Sequence, residues 1–200
     1  MDITRPHLVV LAGPNGAGKT TAAADLLAGT LRVDEFVNAD VIARGLSEFH
    51  PERAALEAGR IMLARLHQLA SQRINFAFET TLASRSFAPW IAGLQDGGYA
   101  FHLVYFWLRD AEEALARVKY RVASGGHDVP EETVRRRYRG GLVNFFQLYQ
   151  PLADSWRFYD NSSPAGSRPV ASGELNQEPR IDDIAIWDQI VRECGHDPKS

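Results

Sequence analysis

Short apolar runs alternate with longer amphipathic stretches along this chain of 200 residues. The apolar runs predict strands, at His7–Ala12, Glu35–Asn38, Asn75–Glu79, Phe101–Leu108, Arg157–Asn161 and Pro169–Ser172. The amphipathic stretches predict helices, at Gly18–Leu27, Pro51–Ser71, Phe87–Asp96, Ala111–Ala123, Glu131–Leu148 and Asp182–Glu193. Strands that alternate with helices are typical of an α/β domain with a mostly parallel sheet.

Two segments interrupt this alternation. Residues 124–130 form a glycine-rich turn that ends in proline and joins two arginine-rich helical stretches. Residues 162–180 are rich in Ser, Pro, Gly and Asn, which predicts loops around one short strand. We therefore expect a single domain over residues 1–200, with a small helical lid at about 117–139 and a C-terminal strand and helix extension at about 165–200.

The composition is that of an ordinary globular protein, with 45% hydrophobic and 24% charged residues. A formal charge of −3 gives no overall attraction to nucleic acid or to an anionic membrane, so neither partner is expected. The single cysteine, Cys194, excludes an internal disulfide and a cysteine-rich metal site. The first apolar run, Leu8–Ala12, is too short to span a bilayer or to form a signal peptide core. These features predict a cytoplasmic protein.

A phosphate-binding motif directly follows the first predicted strand. It reads Gly-Pro-Asn-Gly-Ala-Gly-Lys-Thr and matches G-x-x-x-x-G-K-[ST] at every fixed position, between a strand and a helix. Such glycines let backbone N–H groups surround a phosphate, and the helix adds its positive N-terminal end. We expect nucleotide contacts from Gly13, Pro14, Asn15, Gly16, Ala17, Gly18, Lys19, Thr20 and Thr21.

Within this motif, Lys19 is expected to bind phosphate oxygens, and the Thr20 hydroxyl to bind Mg²⁺. A glycine-rich turn that only caps a helix is the alternative, and the flanking strand and helix disfavour it. The N-K-x-D motif of GTPases and the L-S-G-G-Q signature of ABC-type ATPases are both absent from the sequence. Their absence favours a P-loop NTPase with a small, kinase-like fold that binds a second substrate and closes over it.

Two acids follow predicted strands on the side of the second substrate. Asp40 follows the second strand, where a carboxylate can accept the proton of an attacking hydroxyl. It also precedes an apolar stretch, so the N-cap of a following helix is an equally good interpretation. Glu79 ends the third strand and precedes Thr80 and Thr81. Its carboxylate could bind Mg²⁺ through water, bind a sugar or ribose hydroxyl, or cap the turn.

Arginines on both sides of the glycine-rich turn predict a lid. Arg117 and Arg121 are four residues apart and share one helix face, and Arg136 lies beyond the turn. Two helices joined by a flexible turn can bring positive charge to a phosphate when substrate binds. A solvated helix face is the alternative, and the phosphate-binding motif favours the lid. His127, within the turn, is a candidate substrate contact or the partner of a loop carbonyl.

Two other patterns indicate structure rather than chemistry. Asp110 precedes a helical stretch and is followed by Glu113, which predicts a capping box. A group of aromatic residues has the spacing of a packed core rather than of a base-stacking surface: Phe145, Phe146, Tyr149, Trp156, Phe158 and Tyr159.

Four segments together resemble the zeta-toxin-like P-loop kinases, and more narrowly their short bacterial branch of zeta toxin family proteins or predicted ATPases. The segments are the phosphate-binding motif, Phe36-Val-Asn-Ala-Asp40, Phe78-Glu-Thr-Thr-Leu82, and Gly125-Gly-His-Asp-Val-Pro130 followed by Arg-Arg-Tyr. Many families share the phosphate-binding motif, whereas the four segments in this order are much more specific. The similarity spans residues 7–172, approximately.

The resemblance implies a kinase-like sheet with strand order 2-3-1-4-5, ATP or GTP as phosphate donor, and Mg²⁺. It implies phosphorylation of a hydroxyl on a nucleotide sugar such as UDP-N-acetylglucosamine. In the implied site, Asp40 is the base that activates the acceptor hydroxyl, and the three lid arginines hold the γ-phosphate. Glu79, Thr80 and Thr81 face the acceptor. The partner suggested by the resemblance is an antitoxin protein.

Two other functions are compatible with these residues. The acceptor could be another metabolite, a nucleotide or a nucleic-acid end. The chain could also be a nucleotide-gated module that acts through a protein partner and hydrolyses nucleotide slowly. Because a pure switch needs no acceptor base, the pair of Asp40 and Glu79 favours the kinase.

Overall fold

The computed structural model describes residues 5–26, 33–47, 51–126 and 128–194. Its strands are β1 His7–Ala12, β2 Glu35–Val37, β3 Phe76–Thr80, β4 Ala100–Trp107, β5 Ser155–Asp160, β6 Arg168–Glu174 and β7 Arg180–Ile181. In the described residues they form one seven-stranded sheet in the order β2-β3-β1-β4-β5-β6-β7. The first five strands are parallel, whereas β6 and β7 extend the sheet antiparallel.

Helices cover both faces of this sheet. They are α1 Lys19–Asp25, α2 Ala39–Leu46, α3 Pro51–Ser71, α4 Phe87–Asp96, α5 Ala111–Ala123, α6 Glu131–Asn144 and α7 Ile184–Glu193, with a π-helical turn at Phe145–Tyr149 after α6. One face packs on α3, α4, the π-helical turn and α7, the other packs on α1 and α5, and α6 contributes to both. The central strand β1 is therefore buried at every position.

The predicted α/β fold and the strand order 2-3-1-4-5 are confirmed. The aromatic group packs in the core as predicted: the ring of Phe145 lies 5.1 Å from that of Phe158 and 5.9 Å from that of Trp156. Asp110 caps α5 as predicted, since its Oδ1 accepts from the Glu113 N–H at 2.7 Å. The second half of the predicted capping box differs, because Glu113 Oε2 accepts from the N–H of Arg109 rather than of Asp110.

Two observed elements, α2 and β7, are absent from the predicted helices and strands, and a helix after β2 is expected only in the capping interpretation of Asp40. Only Asn38 separates β2 from α2, so the strand pattern runs directly into the helix. β7 has two residues and is too short to show an alternating pattern. The predicted helix Glu131–Leu148 passes into the π-helical turn, and Leu27, at the end of the first predicted helix, lies outside the described residues.

The parallel strands bring the candidate residues to one edge of the sheet. β1 ends just before Gly13, β2 ends just before Asn38, and β3 contains Glu79 near its end. In sheets of this kind, ligands bind at the carboxyl ends of the strands.

None of the helices in the described ranges is long and apolar enough to cross a membrane.

Candidate active site

The phosphate-binding motif forms a loop whose glycines leave no space for a side chain. Gly13 has φ +138°, and a Cβ there would lie 2.2 Å from the backbone oxygen of Phe106. Gly18 has φ +76°, and a Cβ there would lie 2.7 Å from Asn161 Nδ2, which itself donates to the Ala17 carbonyl at 2.7 Å. The loop therefore has the tight backbone curvature that lets N–H groups surround a phosphate.

Lys19 supplies the buried positive charge of this loop, with 5% of its side chain exposed. Its Nζ donates to the Pro14 carbonyl at 2.9 Å and lies 3.4 Å from Glu79 Oε1. Burial lowers the pKa of Lys19, and the neighbouring Glu79 carboxylate opposes that shift. The loop and Glu79 thus hold the ammonium in place.

Glu79, Thr20 and Asn38 form a hydrogen-bonded cluster beside Lys19. Glu79 Oε2 accepts from Thr20 Oγ1 at 2.7 Å and from Asn38 Nδ2 at 2.8 Å. A hydroxyl beside a carboxylate offers the hard oxygen ligands that Mg²⁺ prefers when phosphates complete its coordination. No group of three or more His, Cys, Asp and Glu in the described part of the chain could hold a metal alone. The cluster therefore fits a magnesium ion that arrives with a nucleotide.

The structure shows that Asp40 is not a helix cap. The N-cap of α2 is Asn38, whose Oδ1 accepts from the N–H groups of Asp40 and Val41 at 2.8 and 3.3 Å. Asp40 lies in the first turn of α2 with 44% of its side chain exposed, and its Oδ2 is 4.0 Å from Arg121 Nη1. The capping interpretation of Asp40 is wrong because Asn38, two residues earlier, performs that role.

Two cavities share this cluster of polar residues. The larger, of about 470 Å³, is lined by the phosphate-binding loop, by Arg117 and Arg121 of α5, and by the turn after α5. The smaller, of about 180 Å³, lies toward α3 and α4. Lys19, Asp40 and Glu79 line both cavities. The arrangement has space for two molecules side by side, with two carboxylates and an ammonium at their junction.

The predicted lid arginines of α5 both line the larger cavity. Arg117 pairs with Glu113 at 2.8 Å and donates to the Ser162 carbonyl at 3.1 Å. These contacts hold Arg117 against the loop that follows β5. Arg121, one turn further along the helix, approaches Asp40.

The third predicted lid arginine, Arg136, is exposed and lines neither of these two cavities. Its neighbour Arg137 lines the smaller cavity and donates to Asn15 Oδ1 at 3.4 Å, and burial lowers its pKa. Arg137 lies three residues after Val134 and four before Gly141, both of which are buried. Arg137 therefore lies on the buried stripe of α6, and Arg136 does not.

Thr80, the last residue of β3, and Thr81, the first residue of the turn after it, line the smaller cavity. Thr80 Oγ1 accepts from the Leu82 N–H at 3.1 Å, and the Leu82 carbonyl accepts from Asn144 Nδ2 of α6 at 2.8 Å. Helix α6 therefore fixes this turn in place. His127 lies outside the described residues, and its contact with a substrate stays a prediction.

The sheet order and the phosphate-binding loop define the class of the molecule, an α/β P-loop protein with a kinase-like fold. A family model, the AAA domain AAA_33, matches residues 8–139, and the chain belongs to that family. An uncharacterised protein of Haemophilus influenzae is 33% identical over 126 residues, which are 63% of this chain and 88% of the relative.

Solved structures share this fold. The complex of AvrRxo1-ORF1 and AvrRxo1-ORF2 with ATP is 18% identical with a TM-score of 0.75, over 93% of this chain and 63% of that chain. The chain thus spans less than two thirds of that neighbour's length. The PezAT toxin–antitoxin system of Streptococcus pneumoniae is 13% identical with a TM-score of 0.64, over 98% of this chain and 86% of that chain. At these identities the likeness is one of fold.

Proposed function

We propose that this protein transfers the γ-phosphate of ATP or GTP to a hydroxyl of a small molecule with the help of Mg²⁺. The observation that carries this proposal is the junction of two cavities, where Lys19, Asp40 and Glu79 line both. A kinase must hold a donor and an acceptor together, with a base and positive charge between them. A nucleotide switch or a hydrolase needs no second cavity.

The phosphate-binding loop and Lys19 would hold the donor phosphates. Thr20 and Glu79 are the residues proposed to hold Mg²⁺, directly or through water, and the ion would neutralise charge on the phosphate oxygens. The hydrogen bond between Thr20 and Glu79 supports a metal-side role for Glu79 rather than an acceptor contact. The acceptor would then meet Thr80 and Thr81.

Asp40 is the proposed base for the acceptor hydroxyl. The acceptor oxygen would bond to the γ-phosphorus, the bond from that phosphorus to the nucleoside diphosphate would break, and the hydroxyl proton would move to Asp40. Arg117 is proposed to hold donor phosphates, while Arg121 and Arg137 would stabilise charge on the transferred group. In this proposal Arg137 takes the role that the sequence pattern suggested for its neighbour.

The proposed acceptor is a nucleotide sugar such as UDP-N-acetylglucosamine, and the proposed partner is an antitoxin-like protein. The four motif segments support the acceptor class. The likeness in fold to the PezAT toxin–antitoxin system and to the AvrRxo1 complex supports a protein partner. At about 180 Å³ the smaller cavity suits a sugar ring, so the nucleotide part of such an acceptor would extend beyond it.

Transfer of a radiolabelled γ-phosphate tests this function. The purified protein with Mg²⁺, labelled ATP or GTP and an extract of small metabolites should yield a labelled organic product. The variant Lys19→Ala should yield none, since it lacks the charge that binds the transferred phosphate. Label found only in free phosphate would contradict the kinase and favour a hydrolase or a switch.

Asp40→Asn isolates the proposed proton transfer. Asn is nearly isosteric but its amide cannot take up the proton, so transfer should fall by about 100- to 10,000-fold. Release of free phosphate should fall less, because water needs no acceptor cavity. The melting temperature should change little, since Asn38 caps α2. Retained transfer in Asp40→Asn would exclude Asp40 as the base.

A further inference from the structure

Asn38 is a buried amide, 6% exposed, between β2 and α2. Its Oδ1 accepts from the N–H groups of Asp40 and Val41 at 2.8 and 3.3 Å. Its Nδ2 donates to Glu79 Oε2 at 2.8 Å and to Thr20 Oγ1 at 3.3 Å. One side chain therefore joins the first turn of α2 to the hydroxyl and carboxylate cluster.

Both ends of an amide are needed for this set of contacts. A Ser or Asp at this position could cap α2. Asp, however, has no hydrogen to donate to the Glu79 carboxylate when it is ionised. A Ser hydroxyl ends closer to the backbone, and when it caps the helix it does not extend to Glu79. We call the two Nδ2 hydrogen bonds, to Glu79 and to Thr20, the bridge. The bridge requires Asn, whereas the cap does not.

We propose that Asn38 is a positioning residue that holds Asp40 in a fixed relation to Thr20 and Glu79. This inference rests on the proposed function, in which Asp40 serves the acceptor and the other two residues serve the metal. The backbone of α2 is held through the side-chain Oδ1 of Asn38, and the oxygens of Thr20 and Glu79 are held through its NH₂ group. Loss of the NH₂ group would let the two halves of the site move independently.

Two variants of Asn38 separate the bridge from the cap. Asn38→Ser keeps a capping oxygen and removes the NH₂ group, whereas Asn38→Ala removes both. Asp183→Ser is the matched control, because Asp183 caps α7, accepts from the Ile186 N–H at 3.1 Å, and lines neither cavity. Melting temperature, ATP affinity with and without Mg²⁺, and phosphate transfer are measured for each.

We expect Asn38→Ser to melt near the wild-type temperature and to lose about tenfold in ATP affinity in the presence of Mg²⁺, as for residues that orient metal ligands. Its ATP affinity without Mg²⁺ should be unchanged, and its transfer rate should fall by at least about tenfold. Asn38→Ala should lose stability in addition, with the same losses in binding and transfer. Asp183→Ser should match the wild type in binding and transfer.

Wild-type Mg²⁺-dependent binding and transfer in Asn38→Ser would overturn the proposal, because the cap alone would then explain the residue. A wild-type protein whose ATP affinity is independent of Mg²⁺ would overturn it as well. If the wild type binds ATP with Mg²⁺ but transfers no phosphate, the proposed function fails. The Mg²⁺-dependent ATP affinity of Asn38→Ser then still decides whether the bridge positions the metal-side oxygens.

Discussion

At the scale of single residues, two adjacent arginines of α6 lie in different surroundings. Arg136 is exposed, whereas Arg137 is half-buried beside Asn15 of the phosphate-binding loop. A charge that is partly removed from water interacts more strongly with phosphate oxygens than a solvated charge does. The two positions therefore form a natural comparison between a site residue and a surface residue.

Arg137→Ala should lower kcat for phosphate transfer by about 100-fold, because it removes the positive charge that stabilises the negative transferred group. Arg136→Ala, one residue away, should leave kcat within about twofold, as expected for a solvated side chain. Steady-state kinetics of both variants check this prediction. Equal losses in the two variants would show that the orientation of α6 differs in the working enzyme.

At the scale of elements, α5 and α6 form a unit with one side toward solvent and the other toward the larger cavity. On the solvent side the helices are joined by ion pairs, Lys119 with Glu131 and Arg135 with Glu112. On the inner side Arg121 of α5 lines the larger cavity. The helices are joined by a turn in which Gly125 has φ +88°, a backbone conformation that suits glycine. We propose that the part of this unit within about residues 117–139 is the lid and that it closes over the donor phosphates.

If the lid delivers charge during transfer, Arg121→Ala should lower kcat by about 100-fold or more while nucleotide affinity changes much less. The control is Arg135→Ala, which breaks the solvent-side ion pair with Glu112 and should leave both quantities close to wild type. Single-turnover transfer and equilibrium nucleotide binding give the two quantities. Lost affinity at unchanged kcat in Arg121→Ala would make Arg121 a ground-state contact.

At the scale of the whole molecule, a chain of polar side chains joins β1, β4 and β5. It consists of His7 in β1, His102 in β4 and Ser155 in β5. His7 Nδ1 and His102 Nε2 are 2.8 Å apart, and His102 Nδ1 is 2.8 Å from Ser155 Oγ. The pKa of His102 is lowered to about 4, mainly by burial and secondly by the neighbouring His7, while Asp154 opposes the shift. The folded protein therefore favours neutral His102.

This shift predicts a loss of stability in mild acid. Because the pKa of His102 falls from 6.5 to about 4 on folding, the unfolded chain binds more protons below pH 6.5. The free energy of unfolding should be insensitive to this residue above pH 6.5 and should fall by up to about 3 kcal/mol toward pH 4. Urea unfolding across this range measures the change.

His102→Gln removes the titrating group and is the control for other acids that titrate in the same range. Its free energy of unfolding should depend less steeply on pH than that of the wild type, by the amount assigned to His102. An equally steep dependence in His102→Gln would place the acid sensitivity elsewhere in the chain.

The sequence by itself determines the features whose physics is local. The phosphate-binding loop depends on backbone conformations of consecutive residues, so its motif predicts it from sequence. The alternation of apolar runs and amphipathic stretches determines the α/β class, and Asp110 caps its own helix. The motif resemblance also implies the strand order that the sheet adopts.

Only the tertiary structure decides which distant side chains meet. Asn38 reaches Thr20 and Glu79 across 18 and 41 residues of sequence, because β2 and β3 are neighbours and end at the same edge. Asn38, rather than Asp40, caps α2 because it stands where the strand ends and the helix begins. The choice of Arg137 over Arg136 depends on the rotation of α6, since one residue turns a helix by about 100°. Such contacts depend on strand order and helix rotation, which a linear pattern of residue types does not specify.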